Sequence, residues 1–311
     1  MTATTSATLD APRRASRRVD LAAVLEPWVY LAPSLALIGA VMFVPLVLGL
    51  SFAFRKIELL NPFAQGWVGF DHFEALADDR YFSLSLVNTA WWTGASLALQ
   101  FLLGLGLALL LNREFAGRRL VQALVFLPWA VPTFLSGLNW AWLFNPVIGP
   151  LPHWMYGAGL LDEPYNILGD PALAMWGPIV ANVWFGIPFF AITLLAALQS
   201  IPTDLYEAAA IDGATPWQRF VRVTLPYLAP MIAITVLLRT IWIANFADII
   251  IVMTGGGPAH ATTTVASYIF TTAYRKLDFG YASAVATVLL VLLFAYAVLL
   301  LWMRRVLPKV N

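Results

Sequence analysis

"SIPTDLYEAAAIDGATPWQRFVRVTLP", residues 200–226, is a polar stretch between two of the most apolar segments of the chain. It carries acids, three consecutive alanines and a glycine, then basic and amide side chains. Asp204 followed three residues later by Glu207 reads as a capping box, so the spacing predicts a helix starting at residue 204. Gly213 is the residue type that ends a helix. Thr215-Pro216 then restarts a second helix, with an N-cap and a proline at the first helical position. The first helix is only about two turns long and would be marginal alone. Its alanines bury little area at about 25 cal/mol per Å2, so they serve close approach better than core packing. An ordinary connecting helix fits these features, and so does an element seated in a groove of another protein.

The flanks decide the fold class. Of 311 residues, 60% are hydrophobic and 11% charged. Soluble domains carry about 25% charged residues, so a soluble fold of this composition would lack polar surface. About 20 mainly apolar residues cross a bilayer core. Six stretches qualify, roughly 28–54, 86–111, 120–144, 174–198, 226–253 and 281–303. The expectation is an all-α membrane protein of six transmembrane helices. A tail over 1–27 precedes a six-span domain over 28–303, and a second tail follows over 304–311. The first apolar run is too long for a signal-peptide core and reads as an uncleaved span. Residues 1–20 have the small, polar, basic composition of a disordered segment. A net charge of +1 points to no nucleic-acid partner, and the absence of cysteine excludes disulfides, thiolate nucleophiles and sulfur-ligated metals.

Orientation follows from the basic residues of the loops. With the N-terminus inside, Arg13, Arg14, Arg17, Arg18, Arg113, Arg118, Arg119, Arg219, Arg222, Arg304, Arg305 and Lys309 are cytoplasmic. Arg55, Lys56, Arg80, Arg275 and Lys276 are then outside, and Arg239 lies within a span. Twelve against five places both termini and the 199–225 loop in the cytoplasm.

Within the spans, Gly94, Gly104 and Gly106 offer close helix approach. Pro128 and Pro132 in span three, and Pro178 and Pro188 in span four, remove backbone donors and predict kinks. Kinked packing and the lining of a cavity both account for them. Outside, "WVGFDHFEALADDRYF", residues 67–82, reads as a short interfacial helix, and residues 145–171 as irregular and partly re-entrant.

The loop also resembles a family. Glu207, Ala208, Ala209, Gly213, then Val223, Leu225 and Pro226 match the signature of permease subunits of bacterial ABC importers, with valine for the usual isoleucine. "ALLLNREFAGRRLVQALVFLPWAVPT", "LNWAWLFNPVIGPL", "NVWFGIPFF" and "VMTGGGPAHATTT" are similar to the sugar-importer branch, the maltose-permease type. The likeness runs from about residue 30 to the C-terminus. It implies that residues 204–213 form a coupling helix in a cleft of a cytoplasmic ATPase. Asp204, Glu207, Ala208, Ala209, Asp212 and Gly213 would then be the coupling residues. It further implies a second permease subunit, two ATPase copies and an extracytoplasmic sugar-binding protein, in a bacterial inner membrane whose lipid surrounds the spans. The outer loop with Gly255, Gly256, Gly257 and Pro258 would help receive the binding protein.

No cofactor is expected on this chain; ATP and magnesium would sit on the partner. A P-loop needs Gly-Lys followed by Ser or Thr, whereas Lys56, Lys276 and Lys309 follow Arg55, Arg275 and Pro308. His72, His153 and His260 lie in expected outer loops without metal-binding spacing, so no metal site and no catalytic residue are expected.

A sugar needs hydrogen-bonding groups and flat aromatic faces, and transporter sites lie near the midplane beside interrupted helices. Span four offers Asn182, Trp184, Phe185, Gly186 and Phe189 around Pro188; span five offers Arg239, Trp242, Asn245, Phe246 and Asp248. An ionisable residue inside a span is a functional candidate by default. Arg239 and Asp248, nine residues apart, would point to opposite sides of one helix. Similarity to the maltose-type permease carries sugar contacts onto Asn182, Phe185, Gly186, Phe189, Arg239, Trp242, Phe246 and Trp129. Arg239 and Phe246 stand where that permease has a small hydroxyl residue and an amide, and its long periplasmic insertion and extra N-terminal spans are missing here. Arg239 then meets a substrate anion, or neutral hydroxyls, or the sister subunit. The rival reading is an ion-coupled secondary transporter, for which Asp248 is the one carboxylate expected within a span. A membrane-embedded enzyme finds no clustered acid–base or metal set.

Overall fold

The computed structural model describes residues 21–61, 63 and 65–306, and it is predominantly helical. The expected disorder of residues 1–20 and the basic residues Arg13, Arg14, Arg17, Arg18 and Lys309 fall outside the described residues. The chain divides into two compact units, residues 1–49 and 50–311. In the first, α1 (Leu21–Ile38) passes through a π-helical turn (Gly39–Phe43) into the start of α2 (Val44–Phe52). The helix therefore begins inside the expected tail, although the stretch long and apolar enough to cross a membrane is Glu26–Phe52.

The second unit opens with a two-residue antiparallel ladder, β1 (Arg55–Lys56) on β2 (Gly66–Trp67), and a short helix, α3 (Asp71–Asp78), within the stretch expected to hold one. The long α4 (Arg80–Leu111) follows, capped by Asp79. Span three is not one helix. It comprises α5 (Arg118–Phe126) with a 3-10 turn (Leu127–Ala130), then α6 (Thr133–Leu143), bent by 98° at the junction. The cause is Pro132, whose ring excludes the helical region for the residue before it, and Val131 is extended at φ −96°, ψ 125°. Counting this bent pair as one span gives the expected six; otherwise the described residues contain five.

The 145–171 segment is more regular than expected, holding α7 (Pro150–Gly157) and a 3-10 turn at Ile167–Gly169. In α8 (Trp176–Gln199), Pro178 sits in the first turn, where no helical bond is lost, so only Pro188 interrupts the ladder. Next come α9 (Thr203–Ile211), α10 (Pro216–Arg219), a π-helical turn (Phe220–Thr224), α11 (Leu225–Ala244) and α12 (Asp248–Met253). Pro216–Met253 together makes the fifth span, broken at residues 245–247. The unit closes with α13 (Val265–Tyr274) and α14 (Phe279–Val306).

Packing centres on α4 against α8. A Cβ on Gly104 would collide with the Phe190 Cβ and lie 3.2 Å from the Ala191 backbone nitrogen, so only glycine allows this approach. Gly94 and Gly106 face open space and play no such part. Beyond them, Leu111, Phe190, Leu194, Leu198 and Leu228 form one apolar cluster, and Trp92, Ile179, Ile243 and Ile249 a second.

At the far end of α4, Asp79 ties three elements together. Its Oδ1 accepts from the Tyr81 and Phe82 amides at 2.8 and 3.2 Å. Its Oδ2 accepts from the Tyr268 hydroxyl of α13 at 2.6 Å and the Tyr281 hydroxyl of α14 at 2.7 Å. Burial alone would push this carboxyl up, but the four hydrogen bonds outweigh it and hold the group below the usual carboxylate range.

Two outcomes follow from this packing. Gly104→Val should lower stability by about 1–3 kcal/mol through overpacking, read as a drop in melting temperature of the detergent-solubilised protein. Asp79→Asn should melt below the wild type at neutral pH. Because folding depresses the Asp79 pKa, its contribution is present above the unfolded value of about 3.9 and is lost as pH falls further. The gap between the two melting curves should therefore close below about pH 4.

Candidate functional site

Arg239 is the only charged residue of α11, and it is 5% exposed. A guanidinium inside an apolar bundle needs oxygen partners, because a buried charge without them is costly. Two neighbouring helices supply them. Arg239 Nε donates to Gln100 Oε1 on α4 at 2.7 Å, and Nη2 donates to Asn182 Oδ1 on α8 at 3.4 Å. Gln100 in turn donates through Nε2 to the Asn182 carbonyl at 2.9 Å. All three side chains are buried, and their bonds join α4, α8 and α11 at one level. Gly186 makes the room, since a Cβ there would meet both the Gln100 and Arg239 side chains.

Beside this cluster lies a cavity of about 580 Å3 lined by Trp129, Asn182, Phe185, Arg239, Ile241, Trp242, Ile243, Asn245 and Phe246. That volume falls within the usual range for small-molecule sites, about 300–1,000 Å3. Phe185 and Phe246 stack at 5.9 Å with planes 20° apart, forming a flat apolar face. Trp129 reaches the cavity because the bend after span three's first half brings it to α8, where Nε1 donates to the Phe185 carbonyl at 3.1 Å. The break after α11 brings in Asn245 and Phe246. At the break the Ile241 carbonyl keeps its helical bond from the Asn245 amide and also accepts from Asn245 Nδ2 at 2.9 Å. The Ile243 carbonyl accepts from the Phe246 amide at 3.0 Å and from Trp92 Nε1 of α4 at 2.9 Å.

Seven of the ten sequence-derived candidates, Trp129, Asn182, Phe185, Arg239, Trp242, Asn245 and Phe246, thus line one cavity. Three stand apart. Gly186 seats the polar cluster, and Phe189 packs behind the wall, 5.2 Å from Trp242 and 6.5 Å from Trp129. Asp248 sits beyond the break and accepts from Thr133 Oγ1 at 2.9 Å, joining α12 to α6. It does not pair with Arg239, and the break at residues 245–247 puts the two on separate helices. Gln100 was not singled out in the sequence, although it is fully buried and holds Arg239 in place. The signal was there: an amide in a long run of apolar and small residues needs a partner across the bundle.

The polar stretch at 200–226 forms two short helices as expected, with one difference. Pro202, not Asp204, occupies the position before the first turn of α9, and Asp204 lies within that turn, where an acid favours the helix dipole. Gly213 adopts φ +78°. The Gly213 and Ala214 amides donate to the Ala210 and Ala209 carbonyls at 3.0 and 2.9 Å, a Schellman ending. Thr215 and Gln218 close a capping box on α10, which begins at Pro216. Glu207, Ala208, Asp212 and Gly213 are exposed and Ala209 is half-buried. On the other side of α9, Leu205 and Tyr206 pack on the apolar cluster of α4, α8 and α11, and the Tyr206 hydroxyl bonds Thr224 at 3.0 Å.

His72 and His153 lie on α3 and α7 and bond the Arg55 and Gly149 carbonyls, while His260 contacts Thr263; among the described residues no acid or histidine cluster could hold a metal. The Gly255–Pro258 loop is held by Thr262 and Thr263 hydroxyls donating to the Gly257 and Gly256 carbonyls at 2.7 and 2.9 Å.

Comparisons with known proteins agree with this architecture. The family profile for the binding-protein-dependent transport system inner membrane component matches residues 100–311. The trehalose/maltose transport system permease protein MalF of Thermococcus litoralis is 39% identical over 239 residues, covering 77% of this chain and 80% of the relative. The sulfoquinovosyl glycerol transport system permease protein SmoG of Agrobacterium fabrum is 34% identical over 287 residues, 90% of each chain. A chain of a bacterial ABC transporter involved in import of the acidic polysaccharide alginate superposes with a TM-score of 0.80 at 27% identity, over 93% of this chain and 98% of that one.

Replacing Gln100 by leucine should strip Arg239 of its shortest bond and cost about 1.5–3 kcal/mol, the worth of a hydrogen bond to a charged group. Chemical unfolding in detergent should show that loss, while Gln100→Glu, which keeps the acceptor for Arg239 but gives up the Nε2 donor to the Asn182 carbonyl, should be more stable than Gln100→Leu.

Proposed function

Because the chain belongs to the family of binding-protein-dependent transport system inner membrane components, we propose that the cavity around Arg239 is its carbohydrate path and that α9 is its link to an ATPase. The chain is a membrane permease subunit of an ABC importer for sugars, without ATP hydrolysis of its own. Relatives carry trehalose, maltose or sulfoquinovosyl glycerol by name.

The observation that carries the finer reading is that one set of helices serves both ends. Arg239, Asn182 and the stacked Phe185 and Phe246 offer donors and a flat apolar face to a sugar. Through Leu205 and Tyr206, α9 rests on the same α4, α8 and α11. A push on α9 is therefore delivered to the cavity walls as a rigid-body movement. Glu207, with Asp204 and Asp212 nearby, meets a basic residue of the ATPase, Ala208 and Ala209 permit close seating, and the left-handed Gly213 turns the chain back to the membrane.

Both termini face the cytoplasm in this reading, with α9, since the basic residues gather on that side. The full transporter adds a second permease, two ATPase copies that hold ATP and magnesium, and an external binding protein received on the outer loops. Trp129, Asn182, Phe185, Arg239, Trp242, Asn245 and Phe246 are the substrate-facing residues; Gly186 and Phe189 position them. The residues 28–303 form the permease domain. Ion-coupled transport loses its best carboxylate, because Asp248 is engaged with Thr133 outside the cavity lining.

Glu207→Lys and Gly213→Asp should each abolish ATP-dependent uptake in proteoliposomes containing the full transporter and reduce co-purification of the ATPase. Normal uptake by both variants, or uptake that an uncoupler stops without ATP depletion, would sink the proposal.

A further inference from the structure

We infer that the carbohydrate admitted to the cavity carries an oxyanion, met by Arg239 and Asn182; this rests on the carbohydrate reading above and names the substrate's charge. The inference starts from charge balance. Arg239 is 5% exposed and lines the cavity, and α4, α5, α6, α8 and α11 contain no Asp or Glu between them. Asp248, on α12, is spent on Thr133. The guanidinium is answered by two neutral amide oxygens alone, and among the described residues it forms no ion pair.

Neutral acceptors satisfy hydrogen bonds but leave the charge. A guanidinium has five N–H donors, and the two bonds to Gln100 and Asn182 use its Nε and one terminal nitrogen. Asn182, itself 1% exposed, keeps its buried Nδ2 without a partner. What Arg239 and Asn182 hold beyond these bonds is therefore unpaired N–H donors and a positive charge with no carboxylate against it. A cation in so apolar a site is stabilised most by an anion, and a guanidinium fork suits a carboxylate, phosphate or sulfonate. Gly186 strengthens the argument, because the absent side chain is what lets Gln100 and Arg239 occupy their places. The Phe185–Phe246 stack beside it offers a flat face for sugar C–H groups. The wall is thus split into an anion end and a ring end.

The test compares charged sugars with neutral counterparts built on the same ring. The probes are glucuronate against glucuronamide, galacturonate against galacturonamide, and glucose 6-phosphate against glucose. Binding to the membrane complex of both permeases and the ATPase, without the external binding protein, is read in lipid nanodiscs by calorimetry and by tryptophan fluorescence, since Trp129 and Trp242 line the cavity. The charged member of at least one pair should bind on the order of ten- to a hundredfold more tightly than its neutral partner. Arg239→Gln should erase that preference, bringing the ratio of charged to neutral affinity within each pair to about one. Should that variant fail to fold, the wild-type pairs still decide the matter. Equal binding within every pair overturns the inference and leaves carbohydrate import standing, and is the result expected if a carboxylate of the second permease already neutralises Arg239. Binding of no probe, charged or neutral, overturns this inference; if ATP-driven uptake of every sugar is absent too, the carbohydrate reading falls with it.

Discussion

A guanidinium enclosed by hydrocarbon must find oxygen, and that requirement organises this bundle. Arg239 on α11 takes it from Gln100 on α4 and Asn182 on α8, so three helices are fixed in register by side chains rather than by shape alone. The contact depends on how closely α4 and α8 approach. Gly104 stands one turn from Gln100 and removes the side chain that would hold α8 away. Gly186 then clears the space in which the polar groups meet. Two glycines and three polar residues thus act as one unit, the glycines setting the distance and the amides using it.

The breaks in the helices have the same logic. A helix that stops inside a membrane exposes carbonyls that lipid cannot answer, so a break survives only where protein answers them. After α11, the Ile243 carbonyl is met by the Phe246 amide and by the Trp92 indole of α4. At the bend between α5 and α6, Trp129 is carried to the Phe185 carbonyl of α8. Each break therefore delivers side chains to the cavity, Asn245 and Phe246 from one and Trp129 from the other. Span three is bent at Pro132 and lines the cavity through Trp129, so the two readings are not exclusive.

The exposed α9 completes the mechanical picture. Apart from Ile211, which is 87% exposed, its outward residues are small or acidic, while Leu205 and Tyr206 fasten it to the cluster formed by α4, α8 and α11. A short helix held on one side by packing and ended by a left-handed glycine behaves as a rigid tab rather than a loose loop. At the opposite end of α4, Asp79 gathers the hydroxyls of Tyr268 and Tyr281, so the long helix is anchored at both extremes.

Much of this was written in local sequence. Span positions follow from apolar run length, the end of α9 from Gly213, and the start of α10 from Thr215-Pro216 and Gln218, because each depends on groups a few residues apart. The resemblance, rather than periodicity, pointed to the aromatic residues of the cavity, of which Trp129, Phe185, Trp242 and Phe246 converge. What local sequence could not give was any pairing across the bundle. It treated Asp248 and Arg239 as two faces of one helix, where a break separates them, and passed over Gln100. Membership of a cavity depends on where bends and glycines let distant helices meet, and those distances arise only when the whole set packs. Sequence determined which segments enter the membrane and where they stop, since burial of apolar runs and backbone satisfaction are local costs. Tertiary structure alone decided which oxygens face the buried cation, because that choice is made by helices 57 and 139 residues apart in the chain.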